Sequence, residues 1–226
     1  LPKSSKPNDT SKKAGGDAFE AECPDLTRLY SIIRMRKIIT VLEFGSGKST
    51  KIIAEALRRN KEDYHDQISL VRRKNSFHIY SLESEKKYAN EVINSCKKAG
   101  LEKYVTVKLV EAEQANFNNM MCGKYKKIPA VCPDLIYIDG PMPMSYKNSK
   151  KQYMSMNDSD ITNITCDLLI IEPVLLPGTI VIIDGMTNNA RFNKRNLQRN
   201  WLSHEDLNND LTIMILDEPT LGVHHK

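Results

Sequence analysis

The sequence predicts an α/β fold: a mostly parallel, seven-stranded sheet with helices on both faces and an antiparallel last strand. Three observations point there. Short β-branched runs alternate with helix-length amphipathic stretches through the chain. Acids follow successive apolar runs at Glu43, Glu83, Glu111, Asp139 and Asp184. A glycine pair, Gly45 and Gly47, separates the first run from a helical pattern.

Residues 1–16, rich in Ser, Lys, Pro, Asn and Gly, read as a disordered basic tail, and residues 17–226 as one domain. A helix is expected after Pro24, with Asp25 in its first turn and Leu26, Leu29, Tyr30 and Ile33 on one stripe. Strand 38–42 follows, then helix 49–59 and a polar insertion over 61–75. Strand 77–82 leads to helix 85–99, closed by Gly100. Strands are expected over 104–110 and 134–138. Helix 161–172 stops at Pro173, and Pro177-Gly178 turns into strand 179–183. A last helix over 189–201 precedes a closing hairpin of 211–216 and 221–223.

Composition narrows the function classes. No apolar run approaches the ~18–20 residues that cross a bilayer, so no membrane partner is expected. The first residues lack the apolar core of a secretory signal, and five scattered cysteines form no C-x-x-C pair. Both features point to reduced thiols and a cytoplasmic protein. Of the net charge of +5, three charges belong to residues 1–16, which leaves the folded part near neutral. Bulk charge therefore does not argue for nucleic acid as a partner, and none is expected. The basic runs 72–74, 124–127 and 191–199 read as solvated surface.

Glycines at 45 and 47 let the backbone turn sharply and approach a ligand, and Ser49 or Thr50 can cap the helix that follows. Gly47-Lys48-Ser49 matches the end of a phosphate loop, but that motif requires a first glycine where this chain has Leu42. The other reading is an acid at the strand end followed by G-x-G.

Leu42-Glu43-Phe44-Gly45-Ser46-Gly47 resembles motif I of the class I S-adenosylmethionine-dependent methyltransferases, which have a Rossmann-like fold. Glu83 in Ser81-Leu82-Glu83-Ser84 resembles the second-strand acid that holds the ribose hydroxyls. Glu111-Ala112 stands where the family has an acid beside the adenine. The stretches 134–140 and 176–184 resemble its fourth motif and its fifth strand. The resemblance implies cofactor contacts from Glu43, Gly45, Ser46, Gly47, Ser49, Thr50, Glu83, Glu111 and Asp139. Two departures stand out: the spacing from Gly47 to Glu83 is long, and the Asn/Asp-Pro-Pro-aromatic motif of base-amine methyltransferases is absent.

Methyl transfer to a hydroxyl needs deprotonation by a base or a metal. Asp139 and Asp184 resemble two metal-ligand positions of catechol-type O-methyltransferases, with Asn188 or Asn189 replacing the acid that Gly185 displaces; the implied ion is Mg2+ or another divalent cation. The alternative is that Asp139 orients the acceptor and Asp184 caps a turn. Tyr146 and Lys147 lie on a loop expected over the site, beside Met142, Met144, Met154 and Met156, and either can assist deprotonation. Arg191 can pair with an anionic group of the acceptor. The leading function is O-methylation of a small polar acceptor, a sugar or other hydroxyl compound. The alternatives are a phosphotransferase built on Lys48 and a non-catalytic module of the same fold. Homo-oligomerisation is left open.

Overall fold

The structure is a computed structural model that describes residues 23–68, 75–142, 145–147, 155–157 and 160–222. The expected tail, Met144, Met154, the basic run 72–74 and Val223 lie outside these residues.

In chain order the elements are α1 (Cys23–Met35), β1 (Thr40–Phe44), α2 (Lys48–Ile68), β2 (His78–Glu83), α3 (Lys86–Lys98), β3 (Val105–Leu109), β4 (Ala112–Phe117), β5 (Met120–Tyr125), β6 (Leu135–Ile138), β7 (Tyr146–Lys147), α4 (Asp167–Ile171), β8 (Ile180–Asp184), α5 (Thr187–Asn196), β9 (Trp201–Asp206) and β10 (Leu211–Leu216). The main sheet has the order β3-β2-β1-β6-β8-β10-β9. It is parallel except at β10, which runs antiparallel to both β8 and β9. This is the expected Rossmann-like arrangement.

Alternation along each strand divides the core in two. Val41, Ile79, Leu135, Tyr137, Ile180 and Ile182 face α1, α2 and α3. Leu42, Phe44, Ile136, Ile138, Val181, Ile183 and Met214 face the side that Leu168 of α4 and Ala190 of α5 cover. The direction of strand addition reverses between β1 and β6, and ligands of such sheets bind outside the strand ends at that crevice.

The structure corrects the sequence reading at five places. Helix α2 continues to Ile68, so 61–68 is helical and not part of an insertion. Ion pairs of Arg58 with Glu55 and Glu62, three and four residues away, support its polar face. A hairpin, β4–β5, follows β3 and forms a separate three-stranded sheet with β7. Asn118 and Asn119 both take positive φ in its two-residue turn, a conformation that asparagine tolerates. Helix α4 keeps only Asp167–Ile171 of the expected 161–172. Upstream of it Gly123 N donates to Ile164 O and Cys166 N donates to Gly123 O, so that stretch runs beside β5. Finally, α5 ends at Asn196, and Trp201–Asp206 forms the strand that pairs with β10. The Glu172 carboxylate takes the backbone N–H groups of Gln198 and Arg199, which stops the helix. Leu221 and Gly222 are not in a strand.

Candidate functional site

The ends of β1, β2, β6 and β8 place four acids along one edge of the sheet. Each acid has a different environment, and that difference decides what it can do.

Glu43 is fully buried beneath the glycine loop. Ser49 Oγ (2.7 Å), Thr50 Oγ1 (2.6 Å) and Ser81 Oγ (2.6 Å) all donate to its carboxyl. Burial pushes this acid up to about 7 against the opposing pull of the three hydroxyls. The sequence reading gave Glu43, Ser49 and Thr50 to the cofactor. The structure instead turns them toward one another, so that they fasten the start of α2 to β1. Ser81, which that reading missed, completes the set; a serine inside an otherwise apolar strand was its signal.

Glu83 is buried at the end of β2 and closes on the loop. Its Oε2 accepts from Ser46 N (3.0 Å) and Ser46 Oγ (2.9 Å), and its Oε1 from Ser84 N (2.7 Å) and Glu85 N (2.9 Å). A carboxylate has about four lone-pair positions, and these contacts occupy them. Gly45 N donates to Leu82 O and Gly47 N to Thr50 Oγ1. Three successive loop N–H groups thus point into the protein, with a carboxylate against the loop.

At the crevice itself Gly45 meets the turn after β6. A Cβ on Gly45 would lie 2.8 Å from Gly140 Cα, and Gly45 has φ +90, which L side chains rarely adopt. The two glycines therefore let two backbones touch at the switch point.

Asp139 follows β6. Its side chain reaches solvent at the mouth of the crevice, yet protein surrounds it on the remaining sides. Burial raises it first and the negative fields of Asp184, Glu43 and Glu83 add to this, so that it is pushed up to about 8. Asp184 ends β8 and accepts a hydrogen bond from the hydroxyl of Tyr137. Burial raises Asp184, and that hydrogen bond opposes the rise. Tyr137 was also missed by the sequence reading, although it precedes Asp139 by two residues and so shares its face of the strand.

The remaining candidates lie elsewhere. Asn189 is fully buried, accepting from Thr165 N at 2.9 Å and from Asn193 Nδ2 at 2.9 Å while donating to Thr165 Oγ1. It is saturated and cannot turn to a cation. Asn188 is exposed and donates to Thr162 Oγ1. Among the described residues no three His, Cys, Asp or Glu side chains gather in a metal-holding group. Of the implied ligands, Asn189 is spent inside the fold, which leaves Asp139 and Asp184 at the strand ends. Tyr146 is buried against Gly123, its hydroxyl bonded to Asn163 and its acidity suppressed by burial, so it is no base. Lys147 is exposed on β7, an edge strand of the small sheet. Glu111 is exposed and paired with Lys126 at 2.5 Å. Arg191 is exposed and pairs with Glu205 of β9 at 3.3 Å. That edge strand lies three strands from β6, roughly 14 Å at ~4.8 Å per strand.

The comparisons agree with this architecture. The structure is similar to a methyltransferase from Geobacter sulfurreducens (11% identity, 87% of this chain and 80% of that one, TM-score 0.52). It is likewise similar to the O-methyltransferase from Bacillus cereus in complex with SAH (14%, 89% and 84%, 0.50) and to the SAM-dependent O-methyltransferase from Thermotoga maritima (10%, 91% and 69%, 0.50). No protein-family model and no curated protein matches the sequence. At these identities the likeness is one of fold.

Proposed function

We propose that a chain with this class I methyltransferase fold binds S-adenosylmethionine and methylates a hydroxyl of a small polar acceptor. The carrying observation is the Glu83 carboxylate set against the glycine loop at the end of β2. A carboxylate there accepts hydrogen bonds from a ribose diol and repels a triphosphate. The same geometry disfavours a phosphate loop, because Gly45, Ser46 and Gly47 direct their N–H groups inward and Ser49 and Thr50 donate to Glu43. Cofactor entry then exchanges the two donors of Ser46 for ribose hydroxyls, so the loop has to give way.

Bound there, the cofactor supplies a methyl group on a sulfonium centre. The chain has to position an acceptor oxygen and take its proton. We assign the proton to Asp139, whose carboxyl stands at the crevice mouth and titrates near working pH. Asp184, which accepts a hydrogen bond from Tyr137, adds a negative field that raises the basicity of Asp139. The O-methyltransferases among the similar folds favour a hydroxyl acceptor. Five free cysteines suit a reducing compartment such as the cytoplasm.

A thermal-shift series with S-adenosylmethionine, S-adenosylhomocysteine, ATP and GTP tests the reading. Either of the first two, at 100 times its dissociation constant, should stabilise the fold by about 2.7 kcal/mol. Stabilisation by ATP or GTP alone would overturn it.

A further inference from the structure

One side chain joins the turn after β6 to the small sheet. Asn163, upstream of α4, is half-buried. Its Nδ2 donates to Pro141 O at 2.5 Å, and its Oδ1 accepts from the hydroxyl of Tyr146. A carbonyl can only accept, so the amide nitrogen has to face Pro141, and the amide oxygen is left for a hydroxyl that donates. Both ends of the carboxamide are therefore used, each in the one sense its partner allows.

The far side of this link is firmly held. The residue after Asn163, Ile164, accepts from Gly123 N at 2.7 Å, and Cys166 N donates to Gly123 O at 3.0 Å, around a parallel bridge between Gly123 and Thr165. Tyr146 is buried in β7, in register with Ala112 of β4, and its ring occupies the space over Gly123. Asn157 clasps its backbone, Nδ2 donating to Tyr146 O at 2.7 Å and Oδ1 accepting from Tyr146 N at 3.1 Å. The near side meets the glycine loop. Asp139 N donates to Phe44 O at 2.9 Å, and a Cβ on Gly140 would lie 2.6 Å from Gly45 Cα. Backbones packed that closely cannot shift independently.

We propose that Asn163 is a positioning residue for the cofactor loop: it holds Pro141, and with it Gly140, against Gly45. The inference rests on reading that loop as a S-adenosylmethionine site. Cofactor entry releases Ser46 from Glu83, so one side of the loop has to move. Gly140 gives the other side a fixed neighbour, and Asn163 ties that neighbour to the rigid pairing of β4, β5 and β7. Without the carboxamide the turn 139–141 loses its link to the small sheet. The loop must then be ordered at the moment of binding, and that ordering is subtracted from the affinity. A residue with a purely structural role would lower the stability of the chain and leave the affinity of its folded form unchanged.

The test is calorimetric titration of the full chain with S-adenosylhomocysteine, at a temperature where urea unfolding shows each variant to be folded. Asn163→Leu keeps the side-chain volume and removes both hydrogen bonds; Asn163→Ala serves if that variant does not fold. Either should bind S-adenosylhomocysteine about tenfold more weakly than the parent, a typical size for coupling through a packed contact. Tyr146→Phe leaves the bond to Pro141 in place without its anchor, and should weaken binding about two- to threefold. Because both residues act through one link, Tyr146→Phe combined with Asn163→Ala should bind no more weakly than Asn163→Ala alone. Affinity within twofold of the parent in the folded Asn163 variants would overturn the role of Asn163 and leave the cofactor reading standing. Fully additive losses in the double variant would overturn it too. Absence of binding heat in the parent would instead remove the cofactor reading, and this inference with it.

Discussion

Glu83 and Ser46 should respond to substitution in opposite directions. Glu83 accepts two hydrogen bonds from Ser46, two from the backbone of Ser84 and Glu85 and a long one from Ser84 Oγ. Hydrogen bonds to a charged acceptor contribute about 1.5–3 kcal/mol each. Replacing the carboxylate by an amide, Glu83→Gln, turns an NH2 toward at least one pair of these donors and removes the charge that a ribose diol would meet. S-adenosylmethionine affinity should then fall by about 2–4 kcal/mol, roughly 30- to 1000-fold. Ser46→Ala removes one donor from the free protein while leaving the Ser46 N–H in place. If Ser46 competes with the ribose, the variant should bind as tightly as the parent or up to about tenfold tighter, since a contact that opposes binding has been lost. Its unfolding free energy should drop by about 0.5–1.5 kcal/mol, because the hydroxyl bond also holds the loop. Isothermal titration calorimetry reads the affinities and urea unfolding the stabilities. Weakening of about tenfold or more in Ser46→Ala, with the fold intact, would refute the competition and make Ser46 Oγ a ligand in its own right.

Three further outcomes follow from the same geometry. Glu43 titrates at about 7 in the fold against an ordinary 4.5, so the folded state binds more protons between those values and stability falls as pH rises from about 4.5 to 7. Glu43→Gln should flatten that decline by on the order of 3 kcal/mol between pH 4.5 and 8, at about 1.4 kcal/mol per pH unit; an unchanged slope in urea unfolding would show that Glu43 does not titrate there. If Asp139 takes the acceptor proton, methyl transfer should rise with pH through about 8 and be lost in Asp139→Asn with cofactor binding retained. A flat profile over pH 6–9 would remove Asp139 from that role. Gly123→Ala would place a Cβ 2.0 Å from the Tyr146 ring, so the variant should lose about 1–3 kcal/mol by overpacking; an unchanged midpoint would show that β5 and β7 are not packed as described.

What could be read from the sequence depended on how local the signal was. The parallel strands announce themselves because buried β-branched runs such as Ile136–Ile138 and Ile180–Ile183 need no partner to be recognised. The acids at their ends were visible for the same reason. The β4–β5 hairpin carries polar residues on both faces, Glu113, Gln114, Asn116 and Lys124 among them, and so lacks a clean alternation. Only the Asn118-Asn119 turn marked it. The limits of α4 and α5 were not legible because distant groups set them: β5 captures residues 164–166, and Glu172 captures residues 198–199. The site shows the same division. The position of Glu83 at the end of its strand was legible, whereas its contact with Ser46 and the turning inward of Glu43, Ser49 and Thr50, which involves Ser81 from the neighbouring strand, were not. Asn189 looked free for a cation until Thr165 and Asn193 were seen to saturate it.

The central claim is that the loop between β1 and α2 serves a ribose-bearing methyl donor and not a triphosphate. Calorimetric titration of the full chain with S-adenosylmethionine and with ATP-Mg2+, repeated on Lys48→Ala and Glu83→Gln, tests it most directly. S-adenosylmethionine should bind the parent and Lys48→Ala with similar affinity and bind Glu83→Gln more weakly by the margin given above, while ATP gives no saturable heat. ATP binding that disappears in Lys48→Ala and survives in Glu83→Gln, with no heat from S-adenosylmethionine, would contradict it.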